Sequence, residues 1–62
     1  MESKMDLKAM DARIKTIRNS AEELQTLAAQ FPALYRNTAR ILASVKMLEI
    51  NLSDLADQGL LP

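Results

Sequence analysis

The chain has no cysteine, no histidine and no tryptophan, and among its 62 residues only one glycine, two prolines, one tyrosine and one phenylalanine. Without Cys and His there is no disulfide framework, no zinc site of the Cys/His type and no thiol nucleophile. No side chain titrates near neutral pH at its ordinary value either. The common catalytic parts are missing, so the chain reads as a non-enzyme with no cofactor and no small-molecule substrate. Turn-forming residues are too scarce for a sheet protein. An excess of one charge is absent too: eight Lys plus Arg face eight Asp plus Glu, with an isoelectric point near 6.1. Proteins that live on nucleic acid or anionic lipid usually carry a basic surplus, which counts against a nucleic-acid partner. The longest apolar runs are three residues, as in Leu27-Ala28-Ala29 and Ile41-Leu42-Ala43. Those are far too short for a membrane span or a signal-peptide core, so the expectation is a cytoplasmic protein without membrane contact.

What is present is a 48% apolar composition, too high for a disordered chain, in a length that allows one domain, residues 1–62. The apolar positions are periodic. Leu7, Met10, Ile14, Ile17, Ala21, Leu24, Ala28 and Phe31 follow one another at alternating spacings of three and four. Leu34, Thr38, Ile41, Val45, Leu48, Leu52 and Leu55 do the same, with Thr38 the single polar member. Each series is a heptad-type stripe, the mark of a helix packed along a seam, and strand-like alternation is nowhere visible.

Between the stripes lies Gln30-Phe31-Pro32-Ala33. Proline denies a helix a backbone donor and pushes its predecessor out of the α region, yet it suits the first position of a new helix. The spacing therefore predicts an all-α antiparallel hairpin turning at Phe31-Pro32, with helix one over about residues 4–30 and helix two over about 33–58. Ser3 with Asp6 resembles a capping box, and Gly59-Leu60 suits a Schellman stop. Two rivals remain: Ser20-Ala21-Glu22-Glu23, after Asn19, could cap a separate short helix, and one long helix could merely kink at Pro32.

Charge favours folding back. Residues 1–18 carry five positive and three negative charges, whereas residues 47–62 hold only Glu49, Asp54 and Asp57. Glu22 and Glu23 precede the turn, and Arg36, Arg40 and Lys46 follow it. A hairpin places each zone beside one of opposite sign. Its layers would pair Leu7 with Leu55, Met10 with Leu52, Ile14 with Leu48, Ile17 with Val45, Ala21 with Ile41, Leu24 with Thr38 and Ala28 with Leu34.

A two-helix unit this small, with no disulfide or metal, has a stability balance near zero. Leu27 beside the first stripe, and Tyr35 and Leu42 beside the second, widen the apolar faces toward those of bundle helices. The expected assembly is a homodimeric four-helix bundle. Its hairpin seam and oligomer core would comprise Leu7, Met10, Ile14, Ile17, Leu24, Leu27, Leu34, Tyr35, Ile41, Leu42, Val45, Leu48, Leu52 and Leu55. Met47 and Ile50, near Ala39 and Ala43, fall on the other side of helix two and read either as scattered surface hydrophobes or as a strip for a protein partner.

Lys4, Lys8, Lys15 and Arg18 line an outer face of helix one, a spacing that could follow phosphates. Asp11 and Glu22 interleave with them as ordinary i,i+4 ion pairs. Asp54 and Asp57 lie at i,i+3 but offer a cation no third ligand. Thr38 is expected to bond back to the carbonyl one turn earlier. The chain thus reads as a small non-catalytic interaction protein, an adaptor, assembly factor or regulator that self-associates and binds an unidentified protein. The alternatives are a small RNA-binding regulator using the basic face and a chaperone-like subunit ordered by another chain.

Overall fold

The structure is a computed structural model and describes residues 6–58. It holds two helices, α1 (Leu7–Leu27) and α2 (Pro32–Asp57), packed against each other as a hairpin. The residues expected to cap the far ends, Ser3, Gly59 and Leu60, lie outside the described residues, as does Lys4.

No glycine or proline interrupts α1, and it runs through Asn19 and Ser20 without a break, so the separate short helix does not form. The two threonines of α1 are accommodated by turning their hydroxyls back on the helix: Thr16 Oγ1 donates to Ala12 O at 3.1 Å and Thr26 Oγ1 to Glu22 O at 3.2 Å. Asp6 stands at the N-cap but makes no side-chain capping bond.

Helix α1 stops at Leu27, short of the Gln30 expected from the sequence. Reversal needs residues of its own, and Ala28, Ala29 and Gln30 supply them as a turn. Ala28 N–H still reaches Leu24 O at 2.8 Å, after which Ala29 N–H turns tightly onto Thr26 O at 3.4 Å and Phe31 N–H onto Ala28 O at 2.9 Å. Phe31 is extended (φ −119°, ψ 93°), as its place before proline requires. Pro32 opens α2, whose first turn closes through Tyr35 N–H to Phe31 O at 2.9 Å. The chain reverses here, which disposes of a single kinked helix.

Two heptad-spaced series build the seam. On α1 it is Leu7, Ile14 and Ala21, continued by Ala28 in the turn; on α2 it is Thr38, Val45 and Leu52. All are buried except Ile14, which is half-buried, and Val45 is the most enclosed at 1% exposure. The turn end uses small residues (Ala21, Ala28, Thr38), whereas the open end holds Leu7, Ile14 and Leu52, with Leu55 half-buried beside them. Thr38 carries no polar cost, because its Oγ1 donates to Leu34 O at 2.7 Å as expected.

The result is a slab measuring 43 × 21 × 13 Å with a radius of gyration of 14.2 Å. A compact 62-residue domain would have a radius near 11 Å. The short dimension is that of one layer of helices. A single layer has a seam and two broad faces, and the two faces differ.

Candidate interaction surface

A right-handed helix places residues three and four positions after a seam residue on its two opposite sides. Because the helices run antiparallel, the three-after positions of both point to the same face of the slab. From α1 these are Met10, Ile17 and Leu24; from α2 they are Ile41, Leu48, the half-buried Leu55 and, one heptad before Ile41, Leu34. Among the described residues they form an apolar sheet whose members, Leu55 apart, are 41 to 52% exposed. Two shallow grooves between the helices mark it, one lined by Ile17, Ala21, Leu24 and Ile41, the other by Met10, Ile14 and Leu48. Ser20 on α1 and Asn37, Ser44 and Asn51 on α2 edge this face by their helical angle, with the charged Arg13 beside the second groove and Asp6 one heptad before it.

The four-after positions make the other face: Asp11, Arg18 and Gln25 on α1, and Leu42, Glu49 and Ala56 on α2, all half-buried. Here the helices are clasped by a bidentate pair. Arg18 Nε donates to Glu49 Oε2 at 2.6 Å and Nη2 to Oε1 at 2.9 Å, while Nη1 reaches Glu22 Oε2 at 3.2 Å. The two partners are only 30% and 36% exposed at the side chain, so the pair is partly shielded from water. Its hydrogen bonds to Arg18, aided by the charges of Arg18 and Lys46, hold the Glu49 carboxyl below the usual carboxylate range against an opposing desolvation effect. The bonds from Glu49 first, and then from Glu22, push the Arg18 guanidinium further toward permanent charge.

Several residues grouped from the sequence are thereby separated. Leu7, Val45 and Leu52 are buried and Ile14, Leu42 and Leu55 half-buried, but Met10, Ile17, Leu24, Leu34, Ile41 and Leu48 spill onto the apolar face and remain 41 to 52% exposed. Leu27 and Phe31 continue that exposure at the turn end, Leu27 at 78%. Tyr35 and Leu42 stand fourteen and seven residues before Glu49, and so belong to the clasped side and not to the apolar one. Met47 and Ile50 lie exposed away from the seam.

The basic face is largely occupied by its own carboxylates. Lys15 Nζ pairs with Asp11 Oδ2 at 3.0 Å, and Arg18 is committed to Glu22 and Glu49, leaving Lys8 exposed at the start of α1. Neither the Arg18–Glu49 clasp nor its reach across thirty-one positions was foreseen. The signal lay in Arg18 and Glu49 each following a seam residue, Ile14 and Val45, by four. Asp54 and Asp57 are both exposed, and among the described residues no three acidic side chains gather as a metal site would need. No helix among those residues is long and apolar enough to cross a membrane. Compared with protein-family models, curated proteins and solved structures, the chain matches none.

Proposed function

We propose that this chain works by binding and not by catalysis: it is a small adaptor, assembly factor or regulator that pairs with a second copy of itself through the apolar face and offers a protein partner the surface left over. The observation that carries the reading is the one-sided slab. Its apolar side bears Met10, Ile17, Leu24, Leu34, Ile41 and Leu48 in one contiguous sheet, whereas the other side is polar and closed by Arg18–Glu49. Contiguous apolar area of this kind on a soluble chain marks an association surface.

Area supports a second copy as the occupant. The chain exposes 4829 Å², where a compact monomer of its mass would expose about 4,000 Å². The surplus, about 800 Å², is what one partner contributes to an interface of standard size. Two one-layer slabs stacked apolar side to apolar side give a four-helix bundle with a self-complementary contact. The uncharged serine and asparagine edge lets the layers approach without desolvating ion pairs. A protein partner is favoured over RNA because Lys15 and Arg18, half of the basic track, already hold carboxylates.

Sedimentation equilibrium of the full chain tests the pairing, together with thermal melts over a hundredfold concentration range. A two-chain mass and a midpoint that rises with concentration are expected. A compact single chain whose midpoint ignores dilution would overturn it.

A further inference from the structure

The outer side of α2 is not used by the hairpin and, by its angle, remains in water when the apolar faces pair. Ala39, Ala43, Met47 and Ile50 fall there at spacings of four, four and three, a helical stripe spanning about 17 Å. All four are exposed, Met47 at 55% and Ile50 at 42%. The two alanines make a low floor that admits a neighbouring backbone, and Met47 and Ile50 rise at one end. At the other, Tyr35 and Ala39 join Ala29, Pro32 and Arg36 around a shallow hollow by the turn.

From Ala39 to Met47 the charge beside the stripe is positive, and carboxylates enter only at its Ile50 end, with Glu49 and Asp54. From Pro32 to Leu48 the chain contains no Asp or Glu. Arg36 and Arg40 border one edge of the stripe and Lys46 the other, and among the described residues none of the three has an ion-pair partner. Lys46 acts on Glu49 only through space. An apolar floor between unpaired cations is the complement of an amphipathic helix with an apolar seam and acidic flanks. Phosphates would leave that floor wet, and no row of aromatics interleaves the cations to stack bases.

We propose that the outer side of α2, with Ala39, Ala43, Met47 and Ile50 as floor and Arg36, Arg40 and Lys46 as rails, docks an acidic amphipathic helix of a partner protein. The inference rests on the reading of this chain as a protein-binding module and supplies the chemistry of its partner.

The test uses the full chain, isotopically labelled for NMR, and two synthetic 18-residue helical peptides with the same leucine seam. One is flanked by glutamates and the other by lysines. The glutamate peptide is expected to bind with an affinity that falls with salt, shifting resonances of Ala39, Ala43, Met47 and Ile50. The double variant Arg36→Glu, Arg40→Glu should weaken it about tenfold or more and favour the lysine peptide instead. Equal binding of both peptides, shifts centred on Met10, Ile17, Ile41 and Leu48, or no binding at millimolar peptide would each overturn the docking site. Sedimentation of the same samples keeps the two readings apart: a single chain that binds the glutamate peptide here sinks only the pairing, and a dimer that ignores it sinks only the docking site.

Discussion

The two faces of the hairpin are built by the same seam and differ only in whether a side chain follows a seam residue by three positions or by four. Three after, the residues are Met10, Ile17, Leu24, Ile41, Leu48 and Leu55, and all but the half-buried Leu55 keep 41 to 45% of their surface in water. Four after, they are Asp11, Arg18, Gln25, Leu42, Glu49 and Ala56, half-buried and tied by a bidentate ion pair. The polar side is thus the finished one and the apolar side the unfinished one. Each apolar stripe is wider than one neighbouring helix can cover, so its axis points between the partner helix and whatever lies above the face. That is the geometry of a helix in a four-membered bundle, where one flank meets the hairpin partner and the other the second layer.

The sharpest way to break this comparison is to truncate one residue of the seam and one of the face. Leu52→Ala removes a buried side chain and should cost about 2–5 kcal/mol in chemical denaturation. The loss should be the same at every protein concentration, because the seam lies within one chain. Leu48→Ala, four positions away but 41% exposed in the hairpin, should cost about 1–2 kcal/mol. That loss should appear at tens of micromolar chain and fade on dilution, since the side chain is covered only when layers pair. Equal, concentration-independent losses at both positions would erase the distinction between seam and face.

The fold was legible because its determinants are local. Pro32 forces Phe31 out of the helix, two 3-4 stripes fix two amphipathic helices, and Thr38 satisfies its own hydroxyl within one turn. The rotation of each helix was not legible. A stripe of period 3.5 says which side is apolar, but not whether the neighbouring helix takes the middle of that side or one edge of it. Leu24 and Leu48 are as apolar as Leu52, yet only Leu52 of the three is buried, while Leu24 and Leu48 stay 43% and 41% exposed. The short residues Ala21, Ala28 and Thr38 let the helices close along the seven-residue series. Arg18–Glu49 then ties the helices at the polar edge, a long-range pairing legible only once Ile14 and Val45 are known to lie in the seam. The end of α1 was misplaced by three residues for a related reason: proline marks where a helix cannot continue, not how many residues the reversal consumes.

The polar side yields the smaller effects, and pH separates its two kinds of ion pair. Folding lowers the pKa of the Glu49 carboxyl, so its contribution to stability is complete above the ordinary carboxylate value of about 4.5 and is lost as pH falls through the lower folded value. Arg18 stays charged throughout that range, its own pKa having moved further upward. Glu49→Gln should therefore lower stability at pH 7 by less than either leucine truncation, and should flatten the decline of the wild-type chain below pH 4.5. Asp11→Asn is the control. It removes an exposed i,i+4 pair in which Lys15 is 70% and Asp11 45% exposed at the side chain, so a change of only a few tenths of a kcal/mol is expected, reduced further by salt. Melts of the three proteins between pH 3 and 7 at one fixed concentration make the comparison. If Asp11→Asn flattened the acid limb as much as Glu49→Gln, the clasp between the helices would be no more than another surface pair, and the asymmetry of the two faces would rest on apolar exposure alone.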